Sequence, residues 1–195
     1  MLDIASEISK KASGRLVYVV GIDGPGGSGK SAFAEKLSQQ FAALRVAVAS
    51  VHNDDFYFES GIRSRLPVHL KPVGGDFDWI RLRDQVLVPL RSGKTAHYTR
   101  YDWASDRLAE NHEVQPQGII LVEGVYSTRA ELRELYDFRI WVECPRELRL
   151  SRGLARDGEA GRSRWVDDWM PAEDRYVDEH RPQAFADAII SGAAT

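Results

Sequence analysis

The densest chemistry lies in GPGGSGKS, Gly24 to Ser31, directly after the apolar run LVYVVGI. It satisfies the pattern G-x-x-x-x-G-K-[ST] and opens a segment of helical periodicity. Gly24, Pro25, Gly26, Gly27, Ser28 and Gly29 let the backbone turn so that successive N–H groups point inward. The start of the next helix, through Ala32, adds its positive dipole end. Such a cradle binds phosphate. Lys30 can reach the outer phosphates of a nucleoside triphosphate, and the Ser31 hydroxyl can ligate Mg²⁺. A later GKT, Gly93 to Thr95, has Val88 in place of the first glycine and no apolar strand before it, so it reads as a turn.

Two carboxylate features accompany this loop. HNDDFYF, His52 to Phe58, places Asp54 and Asp55 after the run VAVASV, at the sheet edge where open α/β folds bind ligands. Alternation along a strand would send the two side chains apart, so one of them faces a transferring phosphoryl group and the other caps a turn or helix. Glu123 closes the run GIILV, where a carboxylate is costly unless it meets a metal, a water or a donor. It is assigned to Mg²⁺ through water, against the plainer reading of an exposed loop glutamate. Arg149, Arg152 and Arg156 recur three and four apart after Pro145 and share one helix face, a pattern that usually marks solvated surface.

The elements that must position these groups are legible as apolar runs. LVYVVGI (16–22), VAVASV (46–51), GIILV (118–122) and DAII (187–190) are unbroken, as strands buried on both faces are. FRIWVE (138–143) alternates more and is expected nearer an edge. Leu2, Ala5, Ile8 and Ala12 predict a short helix before the first strand, and Phe33, Leu37 and Phe41 form one stripe of a helix from Ser31. Strand, helix, strand implies a doubly wound parallel sheet with helices on both faces. Residues 56–113, richer in Gly, Pro and charge, read as an insertion with one helix from Trp79 to about Leu90, ended or kinked by Pro89.

Composition excludes other classes. The chain has 195 residues, 43% apolar and 28% charged, with a net charge of −3. That length suits one domain, and the charge gives no case for nucleic acid or an anionic membrane. MLDIASEISKKASG has no continuous apolar core, so neither export nor membrane insertion is expected. A single cysteine, Cys144, forms no internal disulfide, and no zinc spacing occurs, which fits a reducing cytoplasm. His52, His69 and His97 show no metal spacing and read as structural. A homo-oligomer is left open.

A switch GTPase would carry N-K-x-D and D-x-x-G in their contexts, and an ATPase motor a larger body; neither is present. A compact small-molecule kinase fits better. The sequence here resembles the uridine kinase branch of P-loop kinases, with nicotinamide riboside kinase, phosphoribulokinase and type I pantothenate kinase as relatives. The resemblance rests on GPGGSGKS, DDFY (Asp54 to Tyr57), YDW (Tyr101 to Trp103), LVEG (Leu121 to Gly124) and RLSRGLARD (Arg149 to Asp157) with Arg162 and Arg164. It implies a P-loop fold, ATP and Mg²⁺ as partners, Asp54 as base or orienter of the accepting hydroxyl, and Glu123 on the metal. It also implies a mobile lid at 157–164 whose arginines, Arg156, Arg162 and Arg164, meet the moving phosphoryl group.

The acceptor side departs from the pattern. Where pyrimidine-reading members have a histidine three residues beyond Tyr-Asp-Phe, this chain has Asp106, an acceptor in place of a donor. The family's ribose-binding aspartate has no clean counterpart; Asp78 substitutes for it or caps a helix. Tyr57, Tyr101 and the nearby aromatics stack on a planar base or pack a small lobe. The resulting expectation is an ATP-dependent kinase for a nucleoside- or sugar-like hydroxyl. The alternatives are a kinase for a sugar phosphate or pantothenate-like alcohol, or a regulatory module that binds nucleotide without transfer.

Overall fold

The computed structural model describes residues 2–194. Its strands are β1 (Val17–Asp23), β2 (Val48–His52), β3 (Ala96–Asp102), β4 (Arg107–Val114), β5 (Gly118–Glu123), β6 (Phe138–Glu143) and β7 (Ala188–Ser191). Five pair in parallel in the order β2–β5–β1–β6–β7, while β3 and β4 form a separate antiparallel hairpin. The helices are α1 (Leu2–Ala12), α2 (Lys30–Ala43), α3 (Trp79–Leu82), α4 (Val88–Arg91), α5 (Arg146–Asp157) and α6 (Met170–His180).

Both faces of the sheet are covered, which is why its strands read as unbroken apolar runs. On one face Ile4 and Ile8 of α1 and Phe33, Leu37 and Phe41 of α2 pack on Val20, Ile22, Leu121 and Ile140. On the other, Leu82, Val86, Leu87 and Leu90 pack on Val19, Ile120 and Val122. The 56–113 segment therefore shares a core with the sheet, and it contributes the β3–β4 hairpin besides its helix.

One expectation, on which strands form the edges, is corrected. FRIWVE lies one place in from an edge: β6 runs between the central β1 and the edge strand β7, and its polar residue Arg139 is held by Asp187 at 3.1 Å. The edges are β2 and β7, two runs that looked buried on both faces. The helix from Trp79 ends at Arg91, two residues past Pro89, and its regular α geometry gives way to a π-helical turn, Arg83–Leu87, just before the proline.

The register brings the chemistry to one edge. Ile22 of β1 and His52 of β2 both pair with Glu123 of β5, so three strands end level where the glycine-rich loop begins.

Candidate active site

The glycine-rich loop is held from behind and open in front. Asp23, fully buried at the end of β1, accepts from the Gly24 N–H at 2.7 Å, the Thr128 N–H at 2.9 Å and the Tyr176 hydroxyl at 2.5 Å. Burial pushes its carboxyl up, against these donors. The Gly26 N–H goes to Glu173 at 2.9 Å and the Ser28 N–H to the Pro25 carbonyl at 3.1 Å. Among the described residues the N–H groups of Gly27, Gly29, Lys30, Ser31 and Ala32 have no acceptor, the first intrahelical bond running from Phe33 to Gly29. They form the unsatisfied N-terminus of α2, a ready anion cradle. Gly29 stands at φ 94°, and at Gly27, φ 73°, a Cβ would lie 2.5 Å from the Arg149 carbonyl oxygen. Neither position admits a side chain without strain. Lys30, buried, donates to the Pro25 carbonyl at 3.1 Å.

Opposite the cradle, Glu123 is buried and approached by Ser31 Oγ at 3.3 Å from both carboxylate oxygens and by His52 Nδ1 at 2.7 Å. Burial raises its pKa, but the His52 hydrogen bond, the Lys30 charge and Ser31 outweigh it and hold the carboxyl below its ordinary value. The same hydrogen bond raises His52. Hydroxyl and carboxylate oxygens together suit a hard divalent cation such as Mg²⁺, which needs only one or two protein ligands besides phosphate and water.

Asp54 and Asp55 do diverge, though not by strand alternation. They lie in a 3₁₀ turn, Asn53–Phe56, where successive side chains point about 120° apart. Asp55 accepts from the Tyr98 hydroxyl at 3.0 Å, and its carbonyl accepts from Arg81 at 3.0 Å, so it fastens the turn to the hairpin and to α3. Asp54 has no hydrogen-bond partner among the described residues and faces the open cleft. The crowding cleft walls and the Glu123 charge raise its carboxyl, opposed by Lys30, His52 and Arg156.

The acceptor-side residues are largely engaged with each other. Asp106, in the left-handed region at φ 52°, accepts from the Ser60 N–H at 3.0 Å, from the Ser60 hydroxyl and from the Tyr101 hydroxyl at 2.6 Å. These donors hold its carboxyl down at about 2. Burial and this carboxylate push Tyr101 up to about 12. Asp106 is thus a turn residue that docks the 59–63 loop on the hairpin. Asp78 caps α3, accepting from the Arg81 N–H at 3.0 Å. Tyr57 is buried against Phe77, Tyr101 and Trp103, with Arg63 4.7 Å from its ring centroid.

The arginines separate. Arg149 turns inward to Glu173 at 2.9 Å, and Arg152 donates to the Gly192 carbonyl at 2.9 Å, so the stripe is not a solvated face. Arg156 pairs with Asp157 at 2.7 Å and feels the charge of Asp54, while Arg164 acts on Tyr57 across the cleft. Arg162 does not join them: it is exposed and paired with Glu159 at 2.7 Å, one turn away. On the far flank of the loop a cavity of about 690 Å³ is lined by Pro25, Trp141, Cys144, Arg149 and Asp178.

Residues 19–190 match the model of the phosphoribulokinase/uridine kinase family. The chain belongs to that family. This kinase is 29% identical over 186 residues to uridine kinases of Macrococcus caseolyticus and Staphylococcus carnosus, covering 88% of its own length and 86% of theirs. It superposes with a TM-score of 0.75 and 23% identity on a protein of Bacillus stearothermophilus provisionally described as a uridine kinase, over 95% of this chain and 96% of that one. A Silicibacter protein provisionally described as a fructose transport system kinase gives 0.80 at 20% identity, over 96% and 97%. These likenesses support the fold. Family membership makes the chain an ATP-dependent phosphotransferase acting on a hydroxyl of a small nucleoside- or sugar-like molecule.

Sequence reasoning missed several groups that build the kinase's site. His52, read as structural, sits on Glu123; a register count from the ends of β2 and β5 would have paired them. Asp23 was hidden as the last residue of an apolar run. Glu173 carries no local signal at all, being 147 positions from the Gly26 amide it accepts from. No helix among the described residues is long and apolar enough to cross a membrane.

Proposed function

We propose that this kinase holds ATP on the Gly27, Gly29, Lys30, Ser31 and Ala32 N–H groups with the Lys30 ammonium, and passes its γ-phosphoryl group to a hydroxyl oriented by Asp54. The observation that carries this reading is that the unpartnered N–H donors at the start of α2 and the unpartnered Asp54 carboxylate lie close enough together for the charges of Lys30 and Glu123 to act on Asp54. Charge on the moving phosphoryl group grows on its equatorial oxygens, where Lys30 and, on closure of the 157–164 lid, Arg156 and Arg164 stabilise it. Arg162 joins them only by leaving Glu159. Ser31 directly and Glu123 through water would hold Mg²⁺, which would offset the phosphate charge. Asp54, ionised, accepts a hydrogen bond from the acceptor hydroxyl and takes its proton as the new oxygen–phosphorus bond forms and the bond from the γ-phosphorus to the bridging oxygen breaks, releasing ADP.

The segment 56–113 would bind the acceptor, with Tyr57 and Tyr101 in its wall and Asp78 at its rim. The uridine kinase relatives favour a nucleoside. One observation favours a sugar or other alcohol: Asp106, at the position of the base-reading histidine, is turned into its own hairpin and offers little to a pyrimidine. A free Cys144 and an ATP donor fit the cytoplasm.

The test is ADP release from Mg²⁺-ATP across nucleosides, sugars, sugar phosphates and vitamin alcohols, read above a no-acceptor control. With the best acceptor, Asp54→Asn is expected to keep ATP binding and lose about 10²–10⁴-fold in kcat. Unchanged transfer in that variant would remove Asp54 from the chemistry, and no acceptor-dependent release with any compound would count against the nucleoside and sugar classes together.

A further inference from the structure

The start of the phosphate loop, Gly24 to Ser28, is rich in glycine and intrinsically free, yet three of its four N–H groups are pinned from behind, that of Gly27 alone staying open. Two of those contacts are local, Asp23 to Gly24 and Pro25 to Ser28. The third comes from α6: Glu173 Oε1 accepts from the Gly26 N–H at 2.9 Å, while Oε2 accepts from Arg149 at 2.9 Å. Glu173 and Arg149 are 5% and 7% exposed. A Cβ on Gly26 would stand 2.8 Å from Glu173 Oε1 and 3.1 Å from the Trp165 ring, so the loop backbone is pressed directly on this carboxylate.

Stability alone gives a poor account of this pair. A buried ion pair costs heavy desolvation, and well-packed apolar residues of the same size usually serve as well or better. Arg149 adds to the cost, since its Nε is buried without a partner. What apolar residues cannot do is accept the Gly26 N–H. We propose that Glu173 is a positioning residue for phosphoryl transfer: it holds Gly26 and thereby keeps the open N–H groups from Gly27 onward aimed at the phosphates. This rests on the reading of the loop as the ATP cradle. Glu173 touches no substrate; it acts through Gly26, and its helix continues from the arginine-bearing segment, so the cradle and the lid share one anchor.

Two neutral pairs separate positioning from packing. Arg149→Met with Glu173→Gln keeps an oxygen for the Gly26 N–H, whereas Arg149→Met with Glu173→Met keeps the volume and removes that oxygen. The Gln pair is expected within about threefold of the wild type in kcat/KM for ATP, the Met pair roughly 10- to 100-fold below it, with the acceptor KM unchanged in both. Equal kinetics in the two pairs at matched melting temperature would overturn the proposal, and so would a Met pair faster than the wild type, which would make the carboxylate a brake.

If either pair fails to fold, amide exchange at Gly26 decides in the wild-type protein. Protection that persists with a non-hydrolysable ATP analogue and Mg²⁺ supports positioning; protection lost on binding shows that the carboxylate leaves, and overturns it. Failure of the ATP reading looks different. The wild type would then bind no ATP analogue by calorimetry and release no acceptor-dependent ADP, and this proposal would fall with that reading.

Discussion

The two flanks of the cleft are built on opposite principles. On the donor flank the groups left unpartnered are the N–H donors of Gly27, Gly29, Lys30, Ser31 and Ala32 and the carboxylate of Asp54, while Asp23, Glu173 and Pro25 bond the loop from behind. On the acceptor flank the polar groups bond to one another: Asp106 to Ser60 and Tyr101, Asp78 to Arg81, Asp55 to Tyr98. Binding and catalytic power reside in groups whose partners are withheld by the fold, since an unmet donor in a walled cleft is costly until a ligand meets it. By that measure the donor flank is a prepared site. The proposed acceptor flank is mostly a self-bonded scaffold.

The comparison breaks most visibly at Lys30. Lys30→Met is expected to lower kcat/KM for ATP by at least about 10²–10³-fold, read by initial rates at saturating acceptor, with the melting temperature little changed. Glu123→Gln tests the same flank more gently. It should raise the Mg²⁺ concentration for half-maximal rate by about 10–100-fold, and a Mg²⁺ titration that does not move would take Glu123 off the metal.

Asp106→Asn sharpens the contrast from the other side. A carboxylate that read an acceptor group would cost on the order of 10⁴-fold in kcat/KM when altered, whereas a hairpin staple should cost less than about tenfold. Acceptor KM across the substrate panel distinguishes the two, and a large selective rise for one acceptor would return Asp106 to the substrate site.

The smallest effect is expected at His52. Its pKa in the folded chain is raised above 6.5 by Glu123, so its share of stability is full below that value and is lost as pH climbs through the raised one. Glu123 is lowered from 4.5, so its share is present above that value and fades as pH falls through the lowered one. The melting-temperature gap between wild type and His52→Gln should therefore be widest between these two ordinary values and narrow at alkaline pH. A gap that grew with pH would exclude the ion pair.

Phosphate binding and the sheet were legible because both are local properties. GPGGSGKS carries its geometry in consecutive residues, and an unbroken apolar run declares a strand covered on both faces. Strand order was less so. β2 and β7 read as buried runs yet form the edges, because strand order is set by pairing between distant segments. Asp55 is a structural residue as expected, bonded to Tyr98, but the two aspartates diverge through a 3₁₀ turn that a strand-based reading does not contain.

What the sequence determined by itself was the phosphate loop and the class of fold, since each follows from neighbours along the chain. Only the tertiary structure decided which charged groups stay open to a ligand. Arg149 and Arg156 lie on one short helix, yet one is buried on Glu173 and the other reaches the cleft. Asp54 and Asp106 are equally acidic on paper, yet one is unpartnered and the other is satisfied by its own hairpin. The physical reason is that availability depends on every partner within about 3 Å, and those partners arrive from chain positions no local pattern connects.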